Sequence, residues 1–306
     1  MIKIFDENDR DFSSNWNIAI NPIKCKERKK KSLNGWYLEV EVAVKYKDYI
    51  LQDKLCVVKT KSKANPQAFR IDNPKVTNNV ISFTANHVMF DAKRYLLYDV
   101  RPTLQDGQNA LSYINERTDK TSPFTVYSNV ETIRTAYFVR RNLLEACQVL
   151  EERWGGTFDA DNWTIRLLNS VGNDNGETIS YGKNMQGIQI FEDWSNVCTK
   201  VCPVGYDGMT LPERYLESEV QYETPYTKKV EFQTEIVDEE KTEERLTEEL
   251  RINATRYLEV NQYPKVSYEI TSNINQNMEI GDTIHVKHPL VILQTEVLEY
   301  EHNLLT

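Results

Sequence analysis

The stretch "WYLEVEVAVKY", residues 36–46, alternates apolar and polar side chains: Trp36, Leu38, Val40, Val42 and Val44 against Tyr37, Glu39, Glu41 and Lys45. A period of two puts the first set on one face of an extended chain, so the pattern predicts a strand buried on one side. Shorter runs of the same texture, "KLCVVKT", "QAFRI" and "NVISFTA", predict further strands, separated by the turn-rich "KSKANP" and "RIDNPK". Ahead of the long strand lies "KCKERKKKSLNG", a basic run ending in an Asn-Gly turn. It carries no aromatics for stacking and reads as a solvated hairpin tip rather than a phosphate patch.

From residue 99 onward the period changes. In "DGQNALSYINERT", Asp106 is placed to cap a helix whose inner face carries Ala110, Leu111 and Ile114. In "RRNLLEACQVLEERWGG", Leu143, Cys147, Leu150 and Trp154 form one helical stripe that Gly155-Gly156 terminates. "TFDADNWTIRLLN" predicts a hairpin turning at Asp159 to Asn162, and the polar "NSVGNDNGET" a boundary. Strands resume at "GIQIFED" and run through "NVCTKVCPVG", where Pro203 is expected to end the pairing. Leu246, Leu250, Ala254 and Leu258 then recur every four residues in a charged segment, predicting an acidic helix at about 237–260 docked along one narrow line. The tail predicts further strands with a turn at Gly281-Asp282.

Composition narrows the class. The 306 residues, 40% hydrophobic, are enough for two or three domains. A net charge of −9 argues against attraction of the chain as a whole to nucleic acid or an anionic membrane. Five cysteines, an odd number, behind the charged start "MIKIFDENDRDF" point to reduced thiols in a cytosolic product. No apolar run approaches the roughly 20 residues that span a bilayer.

The search for chemistry comes back empty. On one strand Cys198 and Cys202 would share a face about 13 Å apart, too far for a disulfide, which needs Cα atoms within about 7 Å. Neither a redox pair nor a zinc site has its spacing, so both read as buried inert thiols. His285 and His288, three apart on a strand, fall on opposite faces. No His-Glu-x-x-His, Gly-x-Ser-x-Gly or Gly-x-Gly-x-x-Gly occurs. Cys147 belongs to its helix's core stripe. The pairs Glu151-Glu152, Glu239-Glu240 and Glu243-Glu244 read as solvated charges, with nothing to raise a pKa for acid catalysis. Trp16, Trp36, Trp163 and Trp194 follow no spacing rule and read as packing residues. No catalytic, cofactor-binding or metal-ligating residue is assigned.

The order of these elements resembles the phage tail hub family, the tail-associated "prophage endopeptidase tail" proteins of siphophages of Gram-positive hosts. "NGWYLEVEV" is similar to that family's first long strand, and "PQAFRI", with Phe69 and Arg70, to its Gln-x-Phe-Arg-Ile segment. "ANHVMFDAKRYLL" supplies Ala85, His87, Phe90 and Asp91 of the next stretch. "SNVCTKVCPVG" supplies Asn196, Val197, Thr199, Pro203 and Gly205, and leaves both cysteines at free positions. "YPKVSYEI" and "IGDTIHVKH", with Gly281 and Asp282, resemble the closing barrel.

The resemblance implies a β-rich α+β fold similar to the baseplate hub of contractile-tailed phages. Residues 1–98 and 188–306 would be two small tube-lining β-barrels, the second interrupted by the acidic helix. Residues 99–187 would be an inserted peripheral α+β domain. Three copies would form a ring joining a sixfold tail tube to a threefold tip and passing DNA. The implied partners are the chain itself, distal tail and tail-tube proteins, tape measure protein and ejected DNA in the lumen, and fibre or receptor-binding proteins, without a membrane. The protein would be made in the host cytoplasm and carried at the virion's tail tip, with no cofactor. Any endopeptidase activity would belong to a C-terminal domain outside these residues. A cell-wall hydrolase and a carbohydrate-binding adhesin are the alternatives.

Overall fold

The computed structural model describes residues 1–234, 236, 242–272 and 278–305. Two compact units are present: residues 1–180 with 274–306, and residues 181–273.

The first unit is organised by an antiparallel sheet of eight strands. These are β1 (Ile2–Phe5), β2 (Ile18–Ile20), β3 (Lys24–Lys30), β4 (Trp36–Ala43), β5 (Leu55–Val58), β6 (Gln67–Val76), β7 (Val80–His87) and β21 (Glu299–Asn303). Their order is β2-β1-β5-β6-β7-β4-β3-β21, and the sheet curls into a half-barrel. β4 is the strand its alternation predicts: Trp36, Leu38, Val40 and Val42 are buried, while Val44 has passed into a short 3-10 turn. Each such side chain contributes about 1.5–3 kcal/mol on burial.

The basic run is not a hairpin tip. It is β3, paired with β4 on one side and β21 on the other. Cys25, Glu27 and Lys29 point inward, and Lys24, Lys26, Arg28 and Lys30 outward. The outward charges are tolerated because the neighbouring strands are acidic on the same face. Lys24 reaches Glu39 at 3.2 Å, Lys26 and Arg28 reach Glu301 at 2.5 and 2.6 Å, and Lys30 reaches Glu299 at 3.4 Å. Only the stretch from Lys31 to Gly35 turns.

The same unit carries β8 (Leu96–Val100), α1 (Gly107–Glu116), β9 (Thr125–Ser128), β10 (Phe138–Asn142), α2 (Leu143–Trp154), β11 (Thr157–Asp161) and β12 (Thr164–Leu168). Asp106 caps α1, accepting from the Asn109 N–H at 2.8 Å. Asn142 and Glu145 form a reciprocal capping box on α2, and Gly155 ends it at φ 83°. The stripes Ala110, Leu111, Ile114 and Leu143, Cys147, Leu150, Trp154 are buried in one core that runs from Ile2 through Leu167.

β13 (Asp174–Ser180) pairs in parallel with β19 (Thr283–His288), which pairs antiparallel with β20 (Val291–Glu296). The chain passes between its two compact units near residues 180 and 273. Residues 299–303, expected in a second barrel, complete the first sheet. Local periodicity names a strand but not its partner, and these partners are more than 100 residues away.

The second unit holds β14 (Met185–Asp193), β15 (Lys200–Val204), β16 (Leu216–Glu217), β17 (Thr227–Glu231), α3 (Glu243–Asn261) and β18 (Lys265–Ser272). β14 and β18 form a two-stranded ribbon; β15 lies between β16 and β17. Leu246, Leu250, Ala254 and Leu258 are the buried seam of α3, and Ala254 and Leu258 pack with Cys198 and Val201. The expected helix start at 237–241 and the pair Glu239-Glu240 lie outside the described residues. Pro203 does not end the pairing: β15 runs in parallel with β17 to Val204↔Glu231. It is tolerated because the ladder with β16 has already stopped at Val201↔Leu216, so that side needs no donor. Cys198 precedes the strand and is fully buried, whereas Cys202 is half-buried on the opposite side from Val201 and Pro203, so the two thiols do not share a face.

One backbone crossing in the first unit admits only glycine. Gly172 (φ 78°) and Gly281 (φ 88°) lie against each other's segments. A Cβ on Gly172 would sit 2.0 Å from the Gly281 carbonyl carbon, and one on Gly281 2.3 Å from the Val171 oxygen. Gly172→Ala and Gly281→Ala are each expected to destabilise by at least about 2 kcal/mol in thermal unfolding. Gly187→Ala, with open space at its Cβ, serves as the neutral control.

Candidate functional site

Four residues singled out in the first half of the sequence form two buried pairs, Arg70 with Asp91 and Phe69 with His87. Arg70 on β6 grips Asp91 through two nitrogens, Nε at 2.8 Å and Nη2 at 2.6 Å, with both side chains about 90% buried. Its Nη1 donates to the Asp53 carbonyl at 2.7 Å. A forked, buried pair of this kind fixes geometry as well as charge. Phe69 meets the His87 ring edge-on at 5.3 Å, and Trp36 stacks on the same ring at 3.9 Å. The His87 Nδ1 accepts from the Met89 N–H, so its Nε2 carries the proton and donates to the Gln67 Oε1 at 3.1 Å. Burial, and then Lys29, hold His87 well below the ordinary histidine range, keeping it neutral.

Gln67 carries the network across to the β11–β12 hairpin. Its Oε1 also accepts from the Asn162 N–H at 3.0 Å, and its Nε2 donates to Asp161 at 2.8 Å. Asn162, at φ 51°, returns a bond by accepting from the Ala68 N–H at 2.8 Å. Asn is among the few residues that take this conformation readily.

Beside this clasp lies a buried charge cluster. Asp159 accepts from Lys29 at 3.1 Å and Lys63 at 2.7 Å, and Lys63 lies 3.8 Å from Glu279. The Lys29 ammonium also sits 4.1 Å from the centre of the Trp36 ring. Burial pushes Asp159 up, but Lys29 and Lys63 together outweigh it and hold the carboxyl below its usual value. For Lys29 burial wins and lowers its pKa, because it shares that one carboxylate with Lys63. Two open hollows flank the cluster. One of about 520 Å³ is lined by residues 59–64, Glu279 and Leu304; the other, of about 330 Å³, includes Lys29, Ser32, Asp159 and Glu279. Burial raises Glu279. It also raises Glu151, which accepts from the Ser32 hydroxyl, so this residue is not the fully solvated carboxylate the sequence suggests.

A third buried carboxylate, Glu27, anchors the terminal strand. It accepts from the Trp36 Nε1 at 2.9 Å, and the Tyr300 hydroxyl of β21 lies 3.2 Å from the same oxygen and 2.8 Å from the Ser62 Oγ.

The remaining motif residues do other work. Thr199 accepts from the Tyr226 N–H at 3.0 Å and leads into β15, next to an exposed turn at Asn196. Gly205 leaves room for Leu250 of α3, 3.2 Å from where a Cβ would be. Asp282 accepts from the Asn173 and Glu279 N–H groups, both at 2.8 Å, beside the Gly172–Gly281 crossing. Trp36 and Trp163 are buried, but Trp16 and Trp194 are 42% and 40% exposed, Trp16 under the Lys3 ammonium and Trp194 against Tyr222 and Tyr226. Among the described residues no group of three or more His, Cys, Asp or Glu side chains is arranged to hold a metal. The sequence reading does not single out Lys29 or Lys63, and it takes Asp159 and Asn162 only as the turn of a hairpin, whereas Asp159 lies within β11. The one available signal was the parity of "KCKERKK", which places Lys29 on the same face as Cys25.

The arrangement consists of paired charges and clasped turns that hold a hairpin and a terminal strand on a curled sheet. No curated protein sequence matches the chain. Residues 173–306 match the family model described as prophage endopeptidase tail. Over its whole length the chain is similar to the prophage tail protein gp18 of Listeria monocytogenes, with a TM-score of 0.68 at 15% identity, covering 100% of this chain and 91% of that one. The tail protein of Neisseria meningitidis gives a TM-score of 0.67 at 8% identity, covering 99% and 91%. An Escherichia coli protein, c3393, gives 0.53 at 10% identity, covering 99% and 72%; it is described as a component of the type VI secretion system with structural similarity to the T4 tail proteins gp27 and gp5. The fold is thus that of phage tail proteins, and the carboxy-terminal part matches the prophage endopeptidase tail family, in agreement with the resemblance drawn from the sequence.

Asp159→Asn removes the carboxylate that is ion-paired with the buried Lys29. It is expected to cost about 3–5 kcal/mol in denaturant unfolding, the usual result of stranding a buried charge. Because Asp159 is depressed in the folded state, its contribution is present above the ordinary value of 3.8 and lost as pH falls through the lower folded value. The acid limb of the stability profile should therefore be shallower in Asp159→Asn than in the parent.

Proposed function

We propose that this chain is a structural hub of a phage or prophage tail tip, a trimer whose barrels ring a channel through which DNA leaves. The observation that supports this most is the curled eight-stranded sheet, completed by a strand from the far end of the chain, in a fold similar over its full length to tail proteins. In this reading the sheet of residues 1–98, with its returning strand, is one tube-lining barrel. Residues 99–187 are the peripheral part. The rest of residues 188–306 supplies a second tube-lining barrel around α3.

Three copies would present six such elements, meeting a sixfold tail tube on one side and a threefold tip on the other. A closed head-to-tail ring saturates at three chains and covers sheet edges that would otherwise template aggregation. A net charge of −9 suits a conduit that must not retain DNA, provided carboxylates face the lumen. The partners would be a second and third copy, distal tail and tail-tube proteins, tape measure protein, the passing DNA, and fibre or receptor-binding proteins. The site is the virion tail tip, with no catalytic role for these residues. No helix among the described residues is long and apolar enough to cross a membrane.

Electron microscopy of tails carrying the protein tests the reading. Class averages are expected to show a threefold ring at the tip, with a central hole. A monomer without threefold density in the particle would overturn it.

A further inference from the structure

Asparagine or aspartate stands directly before glycine at Asn34-Gly35, Asp106-Gly107, Asn175-Gly176 and Asp207-Gly208. In such a pair the glycine's backbone nitrogen can close a five-membered ring on the preceding side chain, and glycine has no side chain to shield that nitrogen. In all but one of these pairs the glycine N–H is engaged. Gly107 donates to the Val130 carbonyl at 2.9 Å, Gly208 to the Gly205 carbonyl at 3.2 Å, and Gly176 to the Asp174 Oδ1 at 2.9 Å. Among the described residues the Gly35 N–H has no acceptor. The Gly35 carbonyl is held instead, accepting from the Lys30 N–H at 2.7 Å.

Exposure does not separate the two asparagines, since both side chains reach solvent. What separates them is the state of the attacking nitrogen. At Gly35 there is open space where a Cβ would be, so water has access to the turn. The Asn34 Nδ2 donates to the Lys31 carbonyl at 2.9 Å, which keeps the carboxamide folded over the same turn. At Gly176 the N–H must first leave a charged acceptor, and the Asp174 carboxylate opposes the negative charge that deprotonation would put on the nitrogen.

We propose that Asn34 is a site of spontaneous deamidation and that Asp174 protects Asn175 from the same reaction. Hydroxide or water takes the proton of the Gly35 nitrogen, which attacks the Asn34 Cγ. A C–N bond forms, the carboxamide C–N bond breaks, ammonia leaves with a proton, and a succinimide remains. Water then opens the ring at either carbonyl, leaving aspartate or isoaspartate at position 34. The net change is NH exchanged for O, with nothing oxidised or reduced. The product places a carboxylate between β3 and β4. In the isoaspartyl form the main chain is longer, which loosens the Lys30–Gly35 bond that closes the turn.

The test incubates the folded full chain at mildly alkaline pH and follows both asparagines by peptide mass spectrometry. Isoaspartate is read by its specific enzymatic carboxyl methylation, and a urea-unfolded sample gives each site its own reference rate. On folding, Asn175 is expected to slow at least about tenfold and Asn34 to stay within about threefold of its reference. N34Q should abolish the first modification, and D174A should return most of the lost rate to Asn175. The Lys30 N–H should exchange faster in the isoaspartyl fraction. The folded and unfolded rates of the parent protein decide the matter if D174A does not fold. Protection of Asn34 as strong as that of Asn175, an Asn175 that keeps its unfolded rate, a folded D174A without effect, or unchanged Lys30 exchange would each overturn the proposal.

Discussion

The pairing of β21 with β3, from Glu299↔Lys30 to Asn303↔Lys26, is the contact on which the first unit's architecture rests. It joins positions about as far apart in sequence as this chain allows. It also solves two problems at once. β3 is so rich in lysine and arginine that as an edge it would stand as a row of like charges. β21 brings Glu299 and Glu301 to its outward face, while Tyr300 on the other face reaches the buried Glu27. Removing the terminal strand would leave that carboxylate with Trp36 as its only remaining donor among the described residues.

The clasp on the other side of β3 works by the same logic. Lys29 and Trp36 come from adjacent strands, and the cluster they support holds the β11–β12 hairpin through Asp159. Gln67, Asn162 and His87 repeat the attachment with neutral groups. A neutral histidine that donates through one nitrogen and accepts through the other gives a joint that does not change with pH across the neutral range. In the second unit the apolar seam of α3 packs against Cys198 and Val201.

What was legible in the sequence was local. Trp36 to Val42 announced a strand, Leu143 to Trp154 and Leu246 to Leu258 announced helix faces, and Asp106 announced a cap, because each signal repeats within a few residues. The charge cluster was not legible, since Lys29 and Asp159 lie 130 positions apart and each looks like a surface residue alone. Gly172 looked like loop filler because the backbone it accommodates is Gly281's. Pro203 looked like a strand end because its tolerance depends on where β16 stops. The motif residues Phe69, Arg70, His87 and Asp91 are picked out by resemblance, and only the structure shows that they form two pairs, Arg70 with Asp91 and Phe69 with His87, the second tied to the hairpin through Gln67.

The claim that the two ends of the polypeptide complete one curled sheet is tested most directly by a cross-link. Arg28 and Glu301 are register partners on the outward face, so Arg28→Cys with Glu301→Cys should form a disulfide within a single chain under mild oxidation. Arg28→Cys with Tyr300→Cys, whose side chains point to opposite faces, should not. A bond that forms only between chains, or no bond in the first pair, would contradict the account.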